Sequence, residues 1–88
     1  MPSNQEHRCR VCGLRQSDPP WGDDGRCPTY EICDCCGVEF GYEDATPVGV
    51  KKARTEWMAK GASWFAPEAR PVNWDIEAQM RMIPAEFR

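Results

Sequence analysis

The chain has 88 residues, a mass of 10.0 kDa and six cysteines. That length fits one domain with a thin hydrophobic core, which often needs a metal or a cross-link for stability. Eleven Lys and Arg against 14 Asp and Glu leave a net charge of −3, which excludes a general attraction to nucleic acid or anionic membranes. The apolar runs are far shorter than a membrane-spanning helix, and the polar N-terminus lacks the features of a secretory signal. We therefore expect a cytoplasmic protein with reduced thiols.

The composition changes at about residue 45. All six cysteines lie between Cys9 and Cys36, whereas three of the four tryptophans follow the change. Neither part contains enough apolar residues to fold alone. We predict a single domain over residues 1–88, with a ribbon half at 1–45 and a helical, tryptophan-rich half at 46–88. The predicted fold class is α+β: a small zinc ribbon of β-hairpins that shares one core with a C-terminal two-helix extension.

The first half is predicted to consist of strands and turns. Residues 8–11 form a short strand, and residues 16–28 form a loop because they are rich in Pro, Gly and Asp. Residues 29–33 form a second strand, with Tyr30 and Ile32 on one face. In the next segment apolar residues alternate with Glu and Gly, as in a half-buried strand. The apolar positions of this strand are Val38, Phe40 and Tyr42.

The second half is predicted to begin with an amphipathic helix. Thr46 is the expected N-cap, Pro47 is the first helical residue, and Gly61 ends the helix after Lys60. Helical spacing places three apolar residues on the inward face: Val50, Ala53 and Trp57.

A second, shorter helix is predicted after an aromatic linker. Residues 61–67 are too aromatic for a free loop, and we expect them to fold back on the sheet. The helix starts at Asp75 and ends before Pro84. Its inward side chains are Ile76, Met80 and Ile83.

Two Cys-x-x-Cys-Gly turns, with 20 residues between Cys12 and Cys33, dominate the first half. Two cysteines three apart in a tight turn can direct both sulfurs at one metal, at about 2.3 Å for zinc, and the glycine lets the chain reverse. A pair of such turns joined by about 15–20 residues is typical of structural zinc. We predict one structural, tetrahedral Zn²⁺ without an open catalytic position. Its four ligands are Cys9, Cys12, Cys33 and Cys36.

Three further side chains are of types that can bind a metal but are not expected to be ligands: His7, Cys27 and Cys35. Cys27 and Cys35 are interpreted as reduced spectators, with ligand exchange by Cys35 as the alternative. His7 is too near Cys9 to share its metal and is interpreted as an exposed terminal histidine. A rubredoxin-like iron site that transfers electrons is the alternative centre. Against iron, Asp34 replaces the proline usual in the second rubredoxin turn, and the helical half has no counterpart in that fold.

A family resemblance is found around the second turn, where residues 30–41 read YEICDCCGVEFG. This segment resembles that of small bacterial cysteine-rich "CPCC" zinc-ribbon proteins, with Asp34 at the proline position. Further likeness lies at Trp57, Gly61-Ala62-Ser63-Trp64-Phe65, Asn73-Trp74 and Gln79. The resemblance implies a zinc ribbon with a helical extension in the bacterial cytosol. The family has no established reaction, and some similar proteins accompany toxin genes, which implies an immunity-type or partner-binding role.

The residue pattern indicates a binding module rather than an enzyme. The single histidine lies near the N-terminus, so the chain lacks a plausible Ser-His or Cys-His pair, and it has no Gly-rich phosphate loop. Trp21 is interpreted as a cover over the ribbon or, if exposed, as an anchor for a protein partner. The acidic residues of 30–46 would suit a basic partner. Nucleic-acid binding is the alternative, through one basic cluster: Lys51, Lys52 and Arg54.

Overall fold

The structure, a computed structural model, describes residues 7–88. Its regular elements are two α-helices and two 3-10 helices: α1 at Pro47–Ala59, α2 at Ile76–Met80, and 3-10 helices at Pro67–Ala69 and Ala85–Phe87. Over this range, every helix is too short or too polar to cross a membrane. The cysteine-rich half is built from turns and short extended segments.

The predicted β-hairpin ribbon is reduced to two contacts. Between residues 7 and 88 strand pairing consists of two isolated antiparallel bridges, Arg8 with Arg15 and Ile32 with Glu39, so this part of the chain forms no sheet. Each bridge pairs the two residues that flank one cysteine turn. The helical part of the α+β prediction is therefore confirmed, whereas the ribbon is not confirmed as a sheet.

Backbone conformation explains why the second hairpin is so short. Tyr30 has a φ of 63° and Gly41 a φ of 99°, whereas antiparallel strands have a φ near −140°. The extended backbone is therefore interrupted on both sides of the bridge. The predicted alternation holds at Val38 and Phe40, which are buried, and is wrong at Tyr42, which is exposed.

Helix α1 follows the signals in its sequence. Thr46 Oγ1 accepts a hydrogen bond from the Gly49 N–H at 3.0 Å, and Pro47 occupies the first turn. The chain leaves the helix through Gly61, whose φ of 87° suits glycine. The predicted inward stripe packs on the core through Val50, Ala53 and Trp57.

Helix α2 has only five residues. Asp75, the predicted start of the helix, is its N-cap, because its Oδ1 accepts a hydrogen bond from the Ala78 N–H at 3.1 Å. Ile83 lies in the turn beyond the helix and is buried, while Ile76 and Met80 pack at the edge of the core. The inward positions were thus predicted, but part of the predicted helix is a turn.

The aromatic linker packs on the second cysteine turn instead of on a sheet. The Phe65 N–H donates to the Cys35 carbonyl at 3.0 Å, and the Ala66 N–H donates to the Asp34 carbonyl at 2.8 Å. Trp64 is buried in the adjoining core. The expectation that the linker folds back is therefore right, and its predicted partner is wrong because the sheet is missing from residues 7–88.

The hydrophobic core surrounds the cysteine turns. Its buried members from the first half are Cys9, Val11, Cys12, Cys33, Cys35, Val38 and Phe40. Those from the second half are Val50, Trp57, Trp64, Ile83 and Phe87. Side chains of both halves thus share one cluster, and any change at the cysteines is transmitted to the helices by direct packing.

Candidate metal centre

The two cysteine turns have the same backbone hydrogen bonds. In the first knuckle, residues 9–14, the Cys9 N–H donates to the Leu14 carbonyl at 3.0 Å and the Gly13 N–H donates to the Cys9 carbonyl at 3.0 Å. The second knuckle, residues 33–38, repeats both bonds at 2.9 Å. The glycines of the two knuckles have φ values of 84° and 79°, a conformation that glycine adopts without steric cost.

The four predicted ligand sulfurs converge between the knuckles. All four Sγ atoms lie within 4.8 Å of one another. The Sγ atoms of Cys9 and Cys36 are 3.6 Å apart, as are those of Cys12 and Cys33, and all four cysteines are free. A tetrahedron with metal–sulfur distances of about 2.3 Å has edges of about 3.8 Å. The spacing of the sulfurs is therefore suitable for one tetrahedral thiolate site.

The cluster is closed on most sides. Cys9, Cys12 and Cys33 are fully buried, and Cys36 is partly exposed. Cys36 lines a surface cleft together with Trp57 and Phe65, so the cluster is least covered on this side. Once four sulfurs surround a tetrahedral ion, no position remains for water or substrate.

The environment of the four sulfurs changes the pKa values of their thiols in opposite directions. Burial raises the pKa of Cys12 far above its usual value, because a buried thiolate loses its hydration. A hydrogen bond from the Cys12 thiol, with others from Cys36 and Cys9, lowers the pKa of Cys33. The four sulfurs therefore do not all ionise without a compensating positive charge, and a divalent cation can supply that charge in place of the thiol protons.

Gln79 connects both knuckles to the second half. Its Nε2 donates to the Cys12 carbonyl at 3.1 Å and lies 3.4 Å from the Cys35 Sγ. Its Oε1 accepts a hydrogen bond from Trp74 Nε1 at 2.8 Å. With both ends of the amide engaged, Gln79 holds the backbone of one ligand in place from outside the cluster.

Gln16 makes a comparable contact from the first half of the chain. Its Nε2 lies 3.5 Å from the Cys33 Sγ, so it can donate a hydrogen bond to a ligand sulfur. Its carbonyl lies 3.3 Å from His7 Nδ1, and its N–H donates to the His7 carbonyl at 2.7 Å. His7 is thus half-buried, and its interpretation as an exposed terminal histidine is wrong because Gln16 holds it.

Arg54 is directed inward from α1 onto the first knuckle. Its Nε donates to the Val11 carbonyl at 2.7 Å, and its Nη2 donates to the carbonyls of Arg10 at 2.9 Å and Phe87 at 2.6 Å. Burial lowers the pKa of Arg54, while the charges of nearby cysteine sulfurs act in the opposite direction. The guanidinium therefore places a positive charge beside the cluster and ties the C-terminal turn to it. Arg54 therefore does not belong to a surface cluster with Lys51 and Lys52, because three backbone carbonyls hold it against the first knuckle.

The two remaining cysteines differ in their surroundings. Cys35 is fully buried, and its backbone and sulfur contact the second half of the chain. It lies outside the group of four converging sulfurs. Cys27 is exposed, with its Sγ 3.9 Å from an Asp24 carboxylate oxygen. Both positions agree with the interpretation as spectators, although Cys35 belongs to the core and Cys27 to the surface.

Trp21 is a partly buried structural side chain. Its Nε1 donates to Asp44 Oδ2 at 2.9 Å, and Asp44 Oδ1 accepts the Gly41 N–H at 2.7 Å. The Arg10 guanidinium lies 4.1 Å from the centre of the Trp21 ring. Asp44 is fully buried, so this group joins the acidic loop to the first knuckle. The interpretation of Trp21 as a cover over the ribbon therefore fits its contacts better than that of an exposed anchor.

The comparisons with known proteins do not identify a family: no protein-family model, curated protein or solved structure matches the chain. The resemblance to CPCC-type proteins therefore stays a prediction. The geometry of the four sulfurs and of the side chains around them carries the functional argument.

Proposed function

We propose that this chain is a structural-zinc module that recognises another protein and catalyses no reaction. The proposal is supported above all by one observation, the convergence of four sulfurs from two equivalent knuckles. Zn²⁺ would be held by Cys9, Cys12, Cys33 and Cys36. Its role would be to stabilise the fold, since four protein ligands leave no position for chemistry.

Zinc is preferred to iron as the ion, although both metals accept four thiolates in a tetrahedron. Asp34 in place of the rubredoxin proline favours zinc, as does the aromatic and helical half that packs on the second knuckle. Metal analysis of the purified protein tests this choice. We expect one zinc per chain and a colourless solution. A red protein that contains iron and has visible charge-transfer bands would instead indicate an electron carrier.

Protein recognition is preferred to nucleic-acid binding because the single basic cluster of the sequence is incomplete at the surface. Lys51 and Lys52 are exposed, but Arg54 is occupied by three backbone carbonyls. Two lysines on an acidic protein form a weak site for a phosphate backbone. An immunity-type role, as the resemblance implies, is one form that protein recognition would take.

Affinity capture with and without nuclease tests the nature of the partner. The zinc-loaded chain is immobilised, exposed to cell extract, and washed at low ionic strength. We expect a protein to be retained whether or not the extract is treated with nuclease. Retention that nuclease abolishes, together with a salt-sensitive shift of a mixed-sequence oligonucleotide, would establish the nucleic-acid alternative.

A further inference from the structure

Three exposed apolar side chains lie on the hairpin that carries the second knuckle. Tyr30, Ile32 and Tyr42 are 64%, 45% and 76% exposed. The bridge between Ile32 and Glu39 brings the two arms of the hairpin together. Aromatic side chains that are exposed in this way are enriched in protein interfaces, where they act as anchors.

Tyr30 is held in an unusual conformation. Its φ of 63° is uncommon for a residue other than glycine and costs free energy. A Cβ atom on Gly41 would lie 2.9 Å from Tyr30 Cε1 and 2.6 Å from Pro28 Cβ, so both side chains pack against bare glycine backbone. The ring of Tyr30 is thus packed against Gly41 at one edge and otherwise largely exposed, so less side-chain entropy is lost when a partner covers it than for a side chain without such a contact.

The segment of the chain that carries this ring has charges of a single sign. From Cys27 to Val50 the chain contains five carboxylates and no Lys, Arg or His. Glu31 and Glu43 are exposed, and Glu39 lies opposite Ile32 in the bridge. The buried Asp44 is paired with Trp21 and does not take part. An aromatic face with carboxylates beside it is complementary to a guanidinium, which stacks on the ring and pairs with the acids.

We propose that this surface, Tyr30 and Ile32 with Glu31 and Glu39, is a docking site for an arginine-containing basic segment of a partner protein. The inference rests on the proposed protein-binding function and adds to it the location of the site and the chemistry of the partner. The zinc site contributes by holding the second knuckle, and therefore the hairpin, in shape.

Peptide binding to the zinc-loaded protein tests the chemistry of the partner. Three fluorescent ten-residue probes are used, in which glycine alternates with arginine, lysine or glutamate, and anisotropy is followed at low and high salt. We expect the arginine probe to bind more tightly than the lysine probe, and the glutamate probe not to bind. Absence of binding by the arginine probe, or equal binding of arginine and lysine probes, would overturn the proposal.

Variants of Tyr30 test its location. Glycine adopts the φ of residue 30 without strain, so Tyr30→Gly removes the ring while the melting temperature is retained or raised. We expect roughly tenfold weaker binding of the arginine probe, the usual effect of losing an exposed cation–π contact and its contact area. Tyr30→Asn is the second variant, since asparagine also tolerates this conformation. Unchanged affinity in these folded variants would show that the site is elsewhere.

Matched pairs of Glu→Gln substitutions test whether the arginine probe binds at this surface or is attracted by the net negative charge of the protein. Glu31→Gln with Glu39→Gln should weaken binding and reduce its salt dependence, whereas Glu68→Gln with Glu77→Gln, exposed acids of the second half, should leave both unchanged. Equal losses in the two double variants would indicate unspecific attraction and contradict the proposal.

Capture from extract distinguishes failure of the site from failure of the proposed function. If Tyr30→Gly still captures the same protein from extract as the parent chain, the surface is wrong but the protein-binding function stands. If the parent chain captures no protein, the proposed function itself fails.

Discussion

The positions of individual cysteines determine their different roles. Cys12 and Cys36 belong to the group of four converging sulfurs, Cys35 is buried beside that group, and Cys27 is exposed. In the sequence, Cys36 differs from its neighbour Cys35 by its position three residues after Cys33 and by the glycine that follows it. The structure makes the distinction by distance, since Cys36 Sγ is 3.6 Å from Cys9 Sγ on the other knuckle.

Serine substitutions at the different cysteines should therefore reduce zinc content and stability to different extents. Zinc binding supplies on the order of 10 kcal/mol of folding free energy in small metal-dependent domains. We expect Cys12→Ser and Cys36→Ser to lose stoichiometric zinc and cooperative unfolding, as measured by metal analysis and thermal denaturation. Cys27→Ser is the control and should keep both properties. Cys35→Ser should keep the zinc while lowering stability, and equal loss of zinc in Cys35→Ser and Cys36→Ser would show that the ligand set is wrong.

A second residue-scale prediction concerns Arg54. Arg54→Met keeps much of the apolar stem but leaves three carbonyls without their donor. Hydrogen bonds that involve a charged group contribute about 1.5–3 kcal/mol each and are not additive, so we expect the free energy of unfolding to fall by about 2–4 kcal/mol. Zinc affinity should fall as well, because a positive charge beside the thiolates is lost.

Lys52→Met on the same helix is the matched control for Arg54→Met, since Lys52 is exposed. It should change stability by less than about 0.5 kcal/mol. Chemical denaturation and competition for zinc with a chelator measure the two effects. Similar values for the two variants would contradict the role assigned to Arg54.

At the scale of elements, the knuckles and the second half of the chain fit each other closely. A Cβ on Gly13 would overlap the Gln79 carbonyl, and a Cβ on Gly37 would lie 3.3 Å from Phe65 Cδ1. Each knuckle glycine therefore serves two purposes. Its positive φ closes the turn, and its lack of a side chain lets the α2 region or the linker approach the turn.

Alanine at these glycines separates the two purposes. Gly25→Ala is the control, because Gly25 also has a positive φ, 75°, but has nothing within 4 Å of an added Cβ. It should cost about 1–2 kcal/mol of conformational strain alone. Gly13→Ala should cost at least about 2 kcal/mol more, since the overlap forces the backbone of α2 to move. Equal destabilisation of the two variants in urea would show that α2 does not pack as described.

At the scale of the whole molecule, the cysteines form the centre of the core rather than an appendage to it. The buried cluster combines four cysteines with side chains of α1 and of the C-terminal turn. Helix α1 has 13 residues and depends on this packing, because helices of that length are marginal in water. Folding of the helical half should accordingly depend on the metal.

Removal of the metal should therefore unfold more than the knuckles. With a strong chelator we expect loss of the far-ultraviolet helical signal of α1 and a red shift of tryptophan fluorescence, and recovery of both when zinc is restored. Fluorescence reports on the second half in particular, since Trp74 packs near both Trp57 and Trp64 there. A chelated protein that keeps both signals would contradict the structural role of the metal.

Sequence reasoning was most successful where the signals are local. The knuckles were predicted because a tight turn with glycine needs only six adjacent residues, and the four sulfurs converge as expected. The limits of α1 follow from Thr46, Pro47 and Gly61 for the same reason. The identity of the ion as zinc and the recognition of a partner protein stay predictions.

The tertiary structure alone decided the features that depend on residues far apart in the chain. The inward direction of Arg54, the bridging position of Gln79 and the pairing of Trp21 with Asp44 join residues separated by 23 or more positions. The bridge between Ile32 and Glu39 does not extend into a longer hairpin because Tyr30 and Gly41 adopt positive φ values, which no periodic pattern reveals. Alternation, caps and spacing record local conformational preference, whereas these contacts arise only when the chain has closed around the sulfurs.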